Sequence, residues 1–258
     1  MATTSIAVVD DRLFAAVLAR ADDALILGHR LSEWCGHAPM LEEDLALANI
    51  ALDLIGQARL LYEYAATIEN AGHTEDDYAY RRDPHQFRNI LLVEQPNGDF
   101  AHTIIRQYLY SAFAHAFWQA MTSSADAALA AIAAKSVPES AYHLRHAAEW
   151  TIRLGDGTEE SHRRAQDALD ALFPYTGEMF AIPETETDLI VGGILADPAT
   201  IRPAWTASLD RILAEAGLAK PQSTWMQSGG RRGRHSEHLG HLLAEMQILP
   251  RSYPGAIW

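Results

Sequence analysis

Cysteine is almost missing from this sequence. Cys35 is the only one in 258 residues, so no internal disulfide can form and no Cys-x-x-Cys exists to hold zinc or an iron–sulfur cluster. Basic residues are scarce too: Lys and Arg number 20 against 34 Asp and Glu. The resulting net charge of -14 argues against a nucleic-acid role, because phosphate binding relies on clustered cations. Neither Gly-x-Ser-x-Gly nor Gly-x-Gly-x-x-Gly occurs, which removes the usual signs of a nucleophile elbow and of a dinucleotide fold. The apolar residues at the N-terminus lack a preceding basic region and are interrupted by Asp10, Asp11 and Arg12, so neither a signal peptide nor a membrane span is expected there. The expected compartment is the reducing cytoplasm. Strand-like alternation is also nearly absent.

What is present is apolar and helical in period. Hydrophobic residues make up 48% of the chain, enough for a real core. Asp10 or Asp11 caps a first helix through Leu13, Phe14, Val17 and Leu18, which runs to about His37 before Pro39 breaks it. A second helix starts near Leu41, with Glu42, Glu43 and Asp44 at its positive end. Its Leu47, Ile50, Ala51, Leu54, Ala58, Leu61 and Ala65 form one broad buried face, with Asn49, Asp53 and Gln57 beside it. Residues 70–83 read as polar connection, and Pro84 opens a helix over PHQFRNILLVEQ that PNGD ends. Long helices follow from Asp99 and over 124–154, the latter kinked rather than ended at Pro138. Thr158 caps a fifth helix over 159–173; residues 174–203 are mixed, and helices over about 204–218 and 236–249 complete the chain. The pattern predicts an all-α helical bundle in one domain, 1–258, with a core bundle of about 10–173 and a C-terminal helical extension of about 174–258.

Twelve histidines invite a search for metal ligands. Asp99–His102 and Glu159–His162 have acid-x-x-His spacing, but both lie in a first helical turn, where acids are favoured for capping and dipole reasons alone. His235, His238, His241 and Glu245 fall near one face of the last helix, a set zinc would accept, with packing and capping the plainer explanation. Arg231, Arg232 and Arg234 in a Gly-rich loop suit an anion, though a partner's acidic surface or a local salt bridge fits better, since no Lys-Ser/Thr follows. His143 and His146 read as satisfied interior histidines, the second more clearly, and Cys35 beside Trp34 reads as a buried, inert thiol.

The runs LSEWCGHAPMLEEDLALANIALDLIGQARLL, FRNILLVEQPNGDFAHTIIRQ, RLGDGTEESH and HSEHLGHLLAEMQ closely resemble the PaaC family, the C subunits of bacterial phenylacetyl-CoA epoxidases, over nearly the whole chain. That resemblance implies a ferritin-like bundle within a multicomponent oxygenase of phenylacetate degradation. It further implies a related, PaaA-like catalytic subunit that holds di-iron, a small PaaB-like subunit, and a reductase with flavin and an iron–sulfur cluster that draws on NADPH.

In catalytic relatives of that fold the metals are held by a lone Glu, a Glu-x-x-His, a second lone acid and a further Glu-x-x-His. By the resemblance, Glu33 stands at the first position and Glu94 at the third. Leu54 and Gln57 replace the first pair; Ser140 and His143 replace the second. Glu139 does not restore the set, because one residue along a helix rotates a side chain by about 100°. Glu33, Glu94 and His143 are therefore expected to form at most a hydrogen-bonded interior polar cluster. No cofactor or active site is expected on this chain, which is read as a structural subunit. Two rival readings remain: a di-metal oxidase using Asp99, His102, Glu159 and His162, and a zinc protein using His238, His241 and Glu245. The first two helices are the preferred partner surface, because residues 25–34 and 45–64 carry more apolar surface than one core needs.

Overall fold

The computed structural model describes residue 6, residues 11–254 and residue 256. Among these, regular structure is helical throughout: α1 (Arg12–Ser32), α2 (Leu41–Glu69), α3 (Glu75–Tyr80), α4 (Leu91–Glu94), α5 (Phe100–Met121), α6 (Ala127–Gly155), α7 (Glu159–Leu172), α8 (Thr187–Val191), α9 (Pro198–Ala216) and α10 (Glu237–Ser252), with short 3-10 turns between some of them. Two hairpins, α1–α2 and α5–α6, form the bundle, and α2 meets α6 across it. Helices α7 and α9 cover the far side of α5 and α6, while α10 packs on α3 and the turn that follows it.

Local chemistry sets most boundaries. The Asp11 carboxylate accepts from Phe14 N at 2.8 Å and starts α1, Asp99 does the same for α5 through His102 N at 2.8 Å, and Asp126 caps α6 through Ala128 and Leu129. The alternative cap, Asp10, lies outside the described residues. Thr158 and Ser161 form the capping box of α7. Helix α6 runs on through Pro138. Gly28 lets α1 and α2 lie close, since a Cβ there would stand 3.0 Å from Ile55 Cγ1 and 3.2 Å from Ala51 O.

Several boundaries differ from the sequence expectation, two of them for a tertiary reason. Helix α1 stops at Ser32 rather than near His37, and the chain turns so that Trp34 Nε1 donates to Thr103 Oγ1 at 3.0 Å and its ring meets the edge of Phe100. The helix expected over 84–95 is instead a 3-10 turn, an extended buried stretch and the single turn α4. Its amides need partners, and carboxylates from elsewhere supply them: Arg88 N donates to Asp22 at 2.7 Å, Ile90 N to Asp23 at 2.8 Å and Leu91 N to Glu178 at 3.0 Å. Helix α9 begins six residues before the expected Ala204, because Asp197 caps Ala199 N with Pro198 in the first turn. A short helix, α3, with its Thr74 capping box, also occupies the stretch read as connection.

Helix α2 is, among the described residues, long and apolar enough to cross a membrane, but half of that window is buried inside the bundle, as in a core helix. The surplus apolar surface expected on α1 is absent. Leu25, Ile26, Leu27 and Leu31 are all buried within this chain.

Candidate functional site

Four of the positions that the resemblance matches to metal ligands, Leu54, Gln57, Ser140 and His143, lie on α2 and α6, and the polar ones are hydrogen-bonded to other side chains. Leu54 is a packed core residue, 2% exposed. Gln57 Nε2 donates to Glu139 Oε2 at 2.9 Å, so Glu139 pairs across the seam. Ser140 Oγ lies 3.1 Å from His115 Nδ1, and His143 Nε2 lies 3.0 Å from Asp53 Oδ2. One turn further, His146 Nε2 meets Glu43 Oε2 at 2.7 Å. Burial holds His115 below the ordinary imidazole range, partly offset by its bond to the Val137 backbone. The α2–α6 seam is thus stitched by polar contacts along its length.

A pair of iron ions needs carboxylates that bridge and neutralise it. The residues at the matched positions do not fit that group, and the other acids of the seam, Glu139, Asp53 and Glu43, are each taken up in a separate pair. Leu54 offers no donor atom, Gln57 and Ser140 are neutral, and the two remaining acids are elsewhere. Glu33 is exposed and pairs with Arg30 at 2.8 Å and Asn97 at 2.8 Å. The Glu94 backbone carbonyl accepts from the same Arg30, but its carboxylate is held by Asn89, His235 and Ser236. The expected cluster of Glu33, Glu94 and His143 therefore does not form: the three side chains belong to three separate contact sets. Glu33 lies at the C-terminal cap of α1, and Glu94 is on α4, which the extended stretch redirects.

The C-terminal candidates have structural partners. His235 places Nδ1 at 2.7 Å from Glu94 Oε2 and Nε2 at 3.0 Å from Phe87 O. Both ring nitrogens face acceptors, an arrangement only the imidazolium satisfies in full. Burial opposes its charge, but the Glu94 bond and charge together with Phe87 O outweigh it and raise the pKa. His238 is half-buried, while His241 and Glu245 are exposed. Arg231 is a local salt bridge, bidentate to Asp23 at 2.9 and 2.6 Å and bonded to Ala19 O and Arg88 O, whereas Arg232 and Arg234 are exposed.

The remaining candidates resolve similarly. Asp99 caps α5 and pairs with Arg164 at 3.2 Å; His102 is held low by burial and by Arg106, against the opposing pull of Asp99. His162 Nδ1 is 2.6 Å from Gly155 O. Among the described residues, no three His, Cys, Asp or Glu side chains are grouped to hold a metal ion. Cys35 is exposed in the turn after α1, not buried, because α1 ends before it.

A buried network of acids joins Glu94 and Arg231 to residues that the sequence motifs do not include. Asp22, Asp23, Glu94 and Glu178 are between 0% and 4% exposed, and together they accept the backbone amides of Arg88, Ile90, Leu91, Gly229, Arg231 and Ser236. Arg82, 0% exposed, pairs with Asp22, which also accepts from Tyr62 at 2.6 Å. Burial raises Asp23, with Arg231 opposing. These four acids clamp 87–94 and 229–236 onto α1, joining the C-terminal extension to the bundle. The sequence signal for it is Asp22-Asp23 in the middle of a largely apolar helix, since buried acids demand partners. On α5, Arg106 and Gln107 are equally buried.

Comparison with known proteins decides the family. The sequence pattern of the family described as phenylacetic acid catabolic protein matches residues 1–258. The chain belongs to that family. It is also 48% identical over 248 residues to the C subunit of 1,2-phenylacetyl-CoA epoxidase from Escherichia coli (strain K12), a match that covers 96% of this chain and 100% of that protein. The likeness therefore spans the bundle and the C-terminal extension together.

Proposed function

We propose that this chain is the non-catalytic structural subunit of a phenylacetyl-CoA epoxidase complex in phenylacetate degradation. It pairs with and supports a PaaA-like subunit that carries the di-iron centre. A small PaaB-like subunit and a flavin and iron–sulfur reductase supplied by NADPH complete the system, in the cytoplasm. The chain acts as one domain, 1–258, whose extension is clamped to the bundle.

The observation that carries this reading is the α2–α6 seam. Positions 54, 57 and 140 hold Leu, Gln and Ser, and the polar ones are already bonded to neighbours. The likeness to the E. coli epoxidase protein along nearly the whole chain supports the placement in an epoxidase. Neither the oxidase reading nor the zinc reading gains support, because their residues are engaged in caps and local bonds or stand exposed.

The test is metal content by mass spectrometry on the chain purified alone from iron- and zinc-supplemented medium, followed by mixing with a purified PaaA-like subunit. The expected result is far less than one metal per chain, formation of a stable heteromer, and ring epoxidation only when the partner brings iron. Two irons per chain held without the partner would refute it.

A further inference from the structure

The outward side of α2 carries an apolar seam that nothing among the described residues covers. Leu41, Leu45 and Leu52 are 72%, 57% and 65% exposed. At about 100° per residue they lie within about 40° of one another, on the side of the helix away from Leu54 and Leu61. With the half-buried Ala48, and Ile55 at the border where it meets Gly28 of α1, the positions run 41, 45, 48, 52, 55, the alternating four-three spacing by which one helix receives the knobs of another. Beside Leu52, a Cβ built on Gly56 meets nothing within 4 Å, which leaves a hollow for a side chain from outside. The seam ends at Arg59, which pairs with Glu63 at 2.9 Å.

We propose that this face is the docking site for one long helix of the catalytic partner subunit, bearing apolar residues at heptad spacing with Lys or Arg along its flank. This deepens the reading of the chain as an epoxidase subunit and rests on it. Charge favours a different chain over a second copy. This chain carries a net -14, Glu42 borders the seam, and a two-fold contact would set like charges against each other. Size favours a broad partner. Three leucines supply only part of the roughly 800 Å² per side that a stable interface takes, and the adjoining turn, where Met40 is 46% exposed, extends the surface.

The experiment compares wild type, the double variant Leu45→Asp/Leu52→Asp and a control, Ile248→Asp, on the separate exposed end of α10. Each is titrated with the purified PaaA-like subunit by calorimetry, after circular dichroism and thermal melts establish folding. Wild type and control are expected to bind alike, and the double variant about 100-fold more weakly. If the double variant fails to fold, Leu52→Gln takes its place, with about tenfold weakening expected. Wild-type binding with an unweakened variant overturns the docking site alone. Failure of wild type to bind overturns both the site and the subunit reading. A homodimer in sedimentation that the variant dissolves, or Leu52-dependent pelleting with phosphatidylglycerol vesicles, assigns the face to a second copy or to lipid and also overturns the proposal.

Discussion

Replacing Arg231 by Met should expose how the clamp holds the C-terminal extension. The Met side chain keeps the apolar stem but removes the bidentate partner of Asp23 and the donor to Ala19 O and Arg88 O. Asp23 is then a buried carboxylate with Ile90 N as its remaining hydrogen bond. It can escape as an unpaired charge by taking up a proton, and that sets a ceiling on the loss. From an ordinary Asp pKa near 3.9 to pH 7, at about 1.4 kcal/mol per pH unit, the ceiling is roughly 4 kcal/mol. Breaking a buried pair costs about 3–5 kcal/mol, so a loss of about 3 kcal/mol is expected, or about 6–12 °C in melting midpoint. The sign with pH is diagnostic. A folded state that holds a proton the unfolded state has released gains stability as pH falls. The deficit of the variant relative to wild type should therefore shrink between pH 7 and pH 5, by up to about 2.7 kcal/mol. Urea unfolding followed by circular dichroism at both values measures it. A deficit that is absent, or that grows on acidification, would refute the account of Asp23.

His235 has a raised pKa, so its contribution is fully present below the ordinary imidazole value near 6.5 and is lost as pH rises through the folded value; wild-type stability should fall across that window. In His235→Gln that slope should vanish, and an imidazole resonance titrating at or below 6.5 in the wild type would contradict the assignment. Gly155→Ala should destabilise the chain by about 1–3 kcal/mol, because the new Cβ would stand 2.3 Å from Ala216 O and 2.7 Å from Ala216 Cβ, where α6 meets the end of α9. Gly56→Ala, with open space around it, should instead stabilise by about 0.5–1 kcal/mol; melts of the two variants that move together would count against this packing.

The long helices are legible because their information is local. Helix α2 declares its buried face by the spacing of Leu47, Ile50, Leu54, Ala58 and Leu61, and Asp11, Asp99 and Thr158 cap helices within three residues of their own positions. The segment after Pro84 reads wrongly as a helix for the opposite reason. Its apolar run suits a helix, but Asp22, Asp23 and Glu178 take its amides from positions 66, 67 and 87 residues away. No local period records such a partner. Cys35 reads as buried for the same cause: the apolar stretch extends past Ser32, yet Trp34 leaves the helix to reach Thr103 on α5.

The candidate site divides along the same line. Chemistry that depends on residue identity is settled in the chain itself, since Leu at 54, Gln at 57 and Ser at 140 lack a carboxylate or imidazole in any fold. Which groups meet is decided only by tertiary structure. Glu33, Glu94 and His143 are expected together, but α1 ends one residue before Glu33, the buried stretch turns Glu94 toward His235, and His143 finds Asp53. Apolar patterning says that a helix has a face to bury, because burial is a property of each side chain's own surface. It does not say whether this chain or another covers that face. Packing closed the surface of α1 and left that of α2 open.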